Sequence, residues 1–170
     1  MKPTQSDSTS TILLYSNADW KAVFDLLVES MTFHMSIQNP VRFHKQTPKL
    51  IRDYLQGLAA KHRSKRGVIF VAKDKEGKVL GFVSGELDKQ DSEVIACSAK
   101  SGSVTEICVA EFARKQGVAS KLFDAIEQWL GDRGVKMICL HDVHAANAIA
   151  RNMYEKRGYV VRVSEYAKLV

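Results

Sequence analysis

Val104-Thr105-Glu106-Ile107-Cys108-Val109 and, five residues later, Arg114-Lys115-Gln116-Gly117-Val118-Ala119-Ser120 form the stretch whose reading decides the fold. The first run is short, rich in β-branched residues and bounded by Ser103 and Glu111, so it reads as a buried strand. After Gly117, Val118, Leu122, Ile126 and Leu130 recur at helical spacing, and Phe123 and Trp129 widen the same apolar stripe into an amphipathic helix. A helix that begins at a glycine turns free backbone N–H groups and the positive end of its dipole toward whatever lies at its mouth. Gly117, without a Cβ, lets the main chain approach anionic oxygens closely, and small Ala119 and Ser120 keep the next turn uncrowded. A diphosphate suits such a cradle. The dipole contributes only about 0.3 to 2 kcal/mol per charge, so several N–H bonds together with Arg114 and Lys115 must supply the rest. Taken alone, the six residues from Arg114 to Ala119 also fit a basic loop capping an ordinary helix. A dinucleotide fingerprint needs two further glycines and a P-loop needs Gly-Lys-Ser/Thr; neither is present.

Outward from this stretch, residues 11–15 read as a strand, and Trp20, Val23, Phe24, Leu27, Val28 and Met31 form a helical stripe that Ser16 or Asn17 can cap. A loop over 32–46 leads to Thr47-Pro48, an N-cap and first helical position ahead of Leu50, Ile51, Tyr54, Leu55 and Leu58. Residues 68–73 and 79–87 form a hairpin with Gly77 in its turn. A long polar connection over 88–102, with an apolar patch at 94–97, precedes the strand at 104. Beyond the cradle helix come a strand over 135–140, a helix over about 145–156 and a strand from Tyr159 onward. This order predicts an α/β layered domain, a mixed and mostly antiparallel central sheet flanked by helices. No internal repeat is present.

At 170 residues and about one domain per 100 to 200 residues, a single domain over 11–170 is expected, preceded by a polar tail over 1–10. The 45% hydrophobic and 26% charged residues are ordinary for a soluble protein. No apolar run approaches the roughly 18 residues that cross a bilayer, and the polar start is unlike a signal peptide, so a cytoplasmic protein without membrane contact is expected. Cys97, Cys108 and Cys139 lack metal-ligand spacing, and no metal is expected. The formal charge of +6 favours an acidic ligand, but Lys61, His62, Arg63, Lys65 and Arg66 cluster at a helix end without aromatic interleaving, so nucleic acid is not expected as a partner.

The order of elements and two motifs resemble the GNAT superfamily of acetyl-CoA-dependent N-acetyltransferases, from about residue 68 to the C-terminus. Arg114, Gly117 and Ala119 satisfy that family's Arg/Gln-x-x-Gly-x-Gly/Ala pattern, with Val109 five residues upstream. Asn147, Ala150, Tyr154, Gly158 and Tyr159 satisfy its Asn-x-x-Ala-x-x-x-Tyr pattern with the following Gly-aromatic pair. The resemblance implies that the fourth and fifth strands splay apart and admit the pantetheine arm of acetyl-CoA. Main-chain groups of Ile107, Cys108 and Val109 would bind that arm like an added strand, and the N–H of Ile107 or Cys108 would polarise the thioester carbonyl. Arg114, Lys115, Gln116, Gly117, Val118, Ala119 and Ser120 would hold the diphosphate. Asn147 would meet a pantetheine amide, about 10.5 Å along one helix face from Tyr154, whose hydroxyl would protonate the departing thiolate.

Attack on the thioester needs a neutral amine. A lysine-like amine near 10.4 costs roughly 4 to 5 kcal/mol to deprotonate at pH 7, an α-amine near 7.7 to 8.0 only about 1. Two carboxylates are candidate bases. Glu106 lies inside an apolar run, where burial raises its pKa. Asp142 lies twelve residues before Tyr154, where protein N-terminal acetyltransferases that this chain resembles carry a glutamate; His141 and His144 would extend a water relay from it. His34, Met35, Phe43 and His44 are candidates for an acceptor pocket. The expected activity is acetyl transfer to a primary amine by direct attack, the acceptor being a peptide or protein N-terminus, with a small-molecule amine or a non-catalytic acyl-CoA-binding module as alternatives. Oligomerisation is expected to stop at a monomer or homodimer.

Overall fold

The computed structural model describes residues 10–36, 47–88 and 100–163. Alternating β-branched residues build a hairpin in which β2 (Gly67–Lys73) and β3 (Val79–Leu87) run antiparallel with Val71 opposite Phe82. Its turn is closed by Asp74, whose carboxylate accepts the N–H groups of Glu76 and Lys78 at 2.9 Å, and by Gly77 at φ 83°, a left-handed conformation that glycine adopts without steric cost. β1 (Thr11–Leu14) flanks β2, β4 (Ser101–Val109) runs antiparallel to β3, and β5 (Met137–Leu140) runs parallel to β4, giving the order β1-β2-β3-β4-β5. The parallel step requires a crossover, which α3 (Val118–Gly131) supplies.

Successive residues of β3 show which helices cover which face. A Cβ at Gly85 would meet Ile126 of α3 at 2.8 Å, whereas Glu86 bonds Lys61 of α2 (Pro48–Arg63) at 2.6 Å. Neighbouring strand residues point to opposite faces, so α3 covers one side and α2 the other, with α1 (Trp20–Ser36) beside it. α4 (Ala148–Lys156) packs along α3 through Tyr154 against Phe123, ring centroids 5.7 Å apart. Phe82, Phe123, Leu27, Leu55, Ile69 and Leu122 are fully buried between the layers, each contributing about 1.5 to 3 kcal/mol of burial.

Several boundaries differ from the sequence reading. α1 continues through 32–36, expected to be loop, because the Thr32 hydroxyl bonds back to the Val28 carbonyl at 2.8 Å and so does not break the turn. Met35 and His34 therefore lie on a helix, while Phe43 and His44 lie outside the described residues, as do the patch at 94–97 and the tail before Ser10. β4 begins at Ser101 because Gly102 leaves room for Leu130, which a Cβ would meet at 2.6 Å. β5 begins two residues late and α4 three residues late. Over 159–163 no strand forms, the rest of the expected strand lying outside the described residues, and Arg162 rests on the sulfurs of Met137 and Cys139 at 3.5 and 3.7 Å. Val160, Val161 and Val163 are 71–82% exposed, so no buried face holds that segment in register.

Candidate active site

The site begins with an irregularity in β4. Val104 lies opposite Gly85 and Glu106 opposite Ser84, so Thr105 has no partner position of its own and bulges, its hydroxyl 2.7 Å from that of Ser84. Pairing with β5 stops at the same place, Val104 opposite Leu140 being the last pair. A bulge increases local twist and terminates pairing. The sheet therefore opens between its fourth and fifth strands as expected, with 105–109 lacking a β5 neighbour.

The direction of the exposed backbone follows from the ladder. Ala110 donates its N–H to the Leu80 carbonyl at 2.9 Å, so the 80/110 pair is of the hydrogen-bonded type, and alternation makes 82/108 and 84/106 the same. Cys108 and Glu106 thus spend their main-chain groups on β3. Ile107 and Val109 direct theirs into the gap, and the Val109 carbonyl there accepts Nε of Arg114 at 3.2 Å. Of the two N–H groups considered for the thioester carbonyl, only that of Ile107 faces the opening.

The gap leads into a cavity of about 790 Å³ that brings Glu106, Asp142, Asn147 and Tyr154 together with Tyr54, a residue read from the sequence only as part of a helical stripe. The Tyr54 hydroxyl donates to Oε1 of Glu106 at 3.0 Å. Burial, partly offset by that hydrogen bond and reinforced by the nearby charge of Asp142, raises the Glu106 pKa to about 7. Tyr154 is pushed up to about 12 by burial first and then by the charges of Glu106 and Cys108, so it remains a donor. Burial also raises the Cys108 thiol far above its ordinary value, which suppresses nucleophilic chemistry there.

Asp142 sits in an exposed bend at φ 55°. His141 beside it is engaged elsewhere: Ser103 donates to Asp88 at 2.6 Å and lies 3.0 Å from Nε2 of His141. The carboxylate can only accept, so the single Ser103 proton goes to it and Nε2 must be the donor to Ser103. Asn147 uses its side-chain oxygen to cap α4, accepting the Ala150 N–H at 3.1 Å.

The turn expected to cradle a diphosphate opens α3 at Gly117. Lys121 makes the first α3 bond, to the Gly117 carbonyl at 3.1 Å, so the N–H groups of Val118, Ala119 and Ser120 precede it. Gly117 has φ 78° and a Cβ there would meet no protein atom within 4 Å, so the space in front of the turn is open to an anion. Arg114 is spent on bracing this turn, with Nη2 2.7 Å from Glu29 of α1. Lys115, at φ 59°, shares a second recess with Ser120, Asn152, Lys156 and Arg157. Glu29 was not visible as a site residue because only the fold brings it to Arg114.

The Acetyltransferase (GNAT) family profile matches residues 20–159. A solved structure of a Pyrococcus furiosus protein described as an acetyl transferase is 25% identical, with a TM-score of 0.70, covering 95% of this chain and 99% of that one. A Clostridium acetobutylicum protein described as an acetyltransferase with acetyl-CoA is 15% identical at a TM-score of 0.68, covering 95% and 96%. The GCN5-related N-acetyltransferase 6, chloroplastic, of Arabidopsis thaliana is 30% identical over 73 residues, 42% of this chain. That match spans 25% of the Arabidopsis protein's length.

Proposed function

Because this chain belongs to the GNAT acetyltransferase family, we propose that it transfers an acetyl group from acetyl-CoA to the α-amine of a peptide or protein whose N-terminal side chain is apolar. The observation that carries this reading is Glu106, a carboxylate titrating near neutrality in the cavity beside the β4–β5 opening. Acetyl-CoA supplies a carbonyl carbon activated by its thioester. The N–H groups at the start of α3, with Lys115, hold its diphosphate; the main-chain groups of Ile107 meet its pantetheine arm. Glu106 takes the proton of the incoming ammonium, directly or through one water. The Ile107 N–H donates to the carbonyl oxygen as charge develops on it; the C–S bond then breaks as Tyr154 gives its proton to the sulfur, and the second proton lost by the attacking nitrogen restores the phenol.

The magnitudes favour an α-amine. Transfer from an ammonium near 8 to a carboxylate at about 7 is uphill by roughly 1.4 kcal/mol, and from a lysine near 10.4 by roughly 4.6. Electrostatics agree. Along the cavity Lys61 pairs with Glu86 at 2.6 Å and Arg114 with Glu29 at 2.7 Å, so the lysine and the arginine that line it are both spent on other carboxylates. The net positive charge of the chain is thus not concentrated on the described wall of this cavity, where Glu106 and Asp142 favour a cationic acceptor. Met31, Phe33, Leu50 and Ile51 give the wall its apolar character.

Thiol release from acetyl-CoA, measured with peptides beginning in Met or Leu, with N-blocked lysine peptides and with small amines, tests the proposal. Expected is a kcat/KM at least tenfold higher for the free apolar N-terminus. Faster turnover of a small amine would assign that acceptor class instead, and tight acetyl-CoA binding without thiol release across the panel would make the chain a binding module.

A further inference from the structure

Tyr54 and Glu106 lie 52 residues apart in sequence, one on the helix that walls the acceptor side and the other on the bulged strand, yet their side chains meet at 3.0 Å. Burial first, and the facing Glu106 charge second, hold the Tyr54 phenol well above its ordinary range, so it donates and Oε1 of Glu106 accepts. A Glu side chain beside a bulge has three rotatable bonds and no secondary structure of its own to fix them. The phenol is a tether from the opposite layer.

We infer that Tyr54 is a positioning residue, which pins Oε1 of Glu106 and leaves Oε2 as the oxygen that receives the acceptor proton. This rests on the reading of Glu106 as the base. It also ties α2, which forms part of the acceptor wall, to the chemistry, so a shift of that helix on acceptor docking reaches the carboxylate directly. The tether makes the ionised carboxylate easier to reach than burial alone allows. The other titratable groups around Glu106 are Cys108 on its own strand, Asp142 after β5 and Tyr154 on α4. His34 of α1, His141 and His144 after β5, and the paired Lys61 and Glu86 line the same cavity.

The test combines Tyr54→Phe, Glu106→Gln and the double variant, with acetyl-CoA and a Met-initiated peptide. Thermal melts check that each is folded. Carboxyl carbon resonances of labelled glutamate are titrated, the Glu106 signal being identified by its loss in Glu106→Gln, so that the histidines do not enter the readout. Tyr54→Phe is expected to move the Glu106 midpoint, and the rising limb of the pH–rate profile with it, alkaline by about one pH unit. Activity at pH 6.5 should fall roughly tenfold, recover substantially above pH 9, and show no further loss in the Glu106→Gln background. If the midpoint stays put in folded Tyr54→Phe while Glu106→Gln is impaired, the positioning role is wrong and the base stands. If Glu106→Gln keeps full activity and the same limb, the base reading itself fails and takes the role of Tyr54 with it.

Discussion

Two residues of the cavity make opposite use of the same burial. Tyr154, at about 12, stays protonated at any working pH and can serve only as a donor. A thiol leaving group near 8.5 needs about 2 kcal/mol of help at neutrality, so Tyr154→Phe should lower kcat about 30-fold with the KM for acetyl-CoA little changed in steady-state assays. Glu106 is raised from 4.5 to about 7, so the fold favours its protonated form. That preference contributes fully below 4.5 and is lost as pH rises through 7, amounting to about 3 kcal/mol for a shift of roughly 2.5 units. Urea unfolding should therefore show Glu106→Gln gaining stability over the parent between pH 5 and pH 8; a constant difference would contradict the shift. At this scale Glu106 was legible as an acid inside an apolar run. Its partner Tyr54 was not, since a tyrosine at helical spacing among Leu50, Ile51 and Leu55 carries no mark of a contact 52 residues away.

The elements were legible where one stripe or one turn defines them. α3 begins directly after its Gly117 cap as its periodicity predicts, and Thr47-Pro48 opens α2 with the Thr47 side chain accepting the Leu50 N–H. The bulge at Thr105 was not, because it exists only relative to the register of β3 and β5. Gly117 and Asn147 separate local structure from ligand contact. Gly117→Glu forces a side chain into φ 78° and points a carboxylate at the cradle. It should cost about 1 to 2 kcal/mol of stability and raise the acetyl-CoA Kd at least tenfold by calorimetry, whereas Gly117→Asn, tolerant of that φ, should keep most of the stability. Asn147→Ala should lose about 1 kcal/mol from the α4 cap. Asn147→Asp retains the capping oxygen and removes the amide donor; a weakened acetyl-CoA affinity with unchanged melting would assign that donor to the ligand.

Over the whole molecule, the layers are joined by ion pairs as well as by the core. Asp19, 4% exposed, meets Lys73 of β2 at 2.6 Å and accepts from the Ser16 N–H and hydroxyl at 2.9 and 3.0 Å. Burial opposes its ionisation, but these donors prevail and its pKa is lowered. A lowered folded value stabilises above the unfolded pKa and is lost as pH falls through the folded one, so Asp19→Asn should cost about 2 kcal/mol at pH 7 and progressively less toward pH 3 in chemical denaturation. By itself the sequence determined the layered α/β class, the glycine turn ahead of α3, the family motifs and the chemical types of Glu106 and Tyr154, because these depend on local periodicity and spacing along one segment. Only the tertiary structure decided that β4 bulges where β5 leaves it, that Ile107 and not Cys108 faces the gap, that Arg114 is held by Glu29, and that Tyr54 grips Glu106. Each of those depends on strand register or on layers meeting across long stretches of chain, and neither is encoded in the spacing of neighbouring residues.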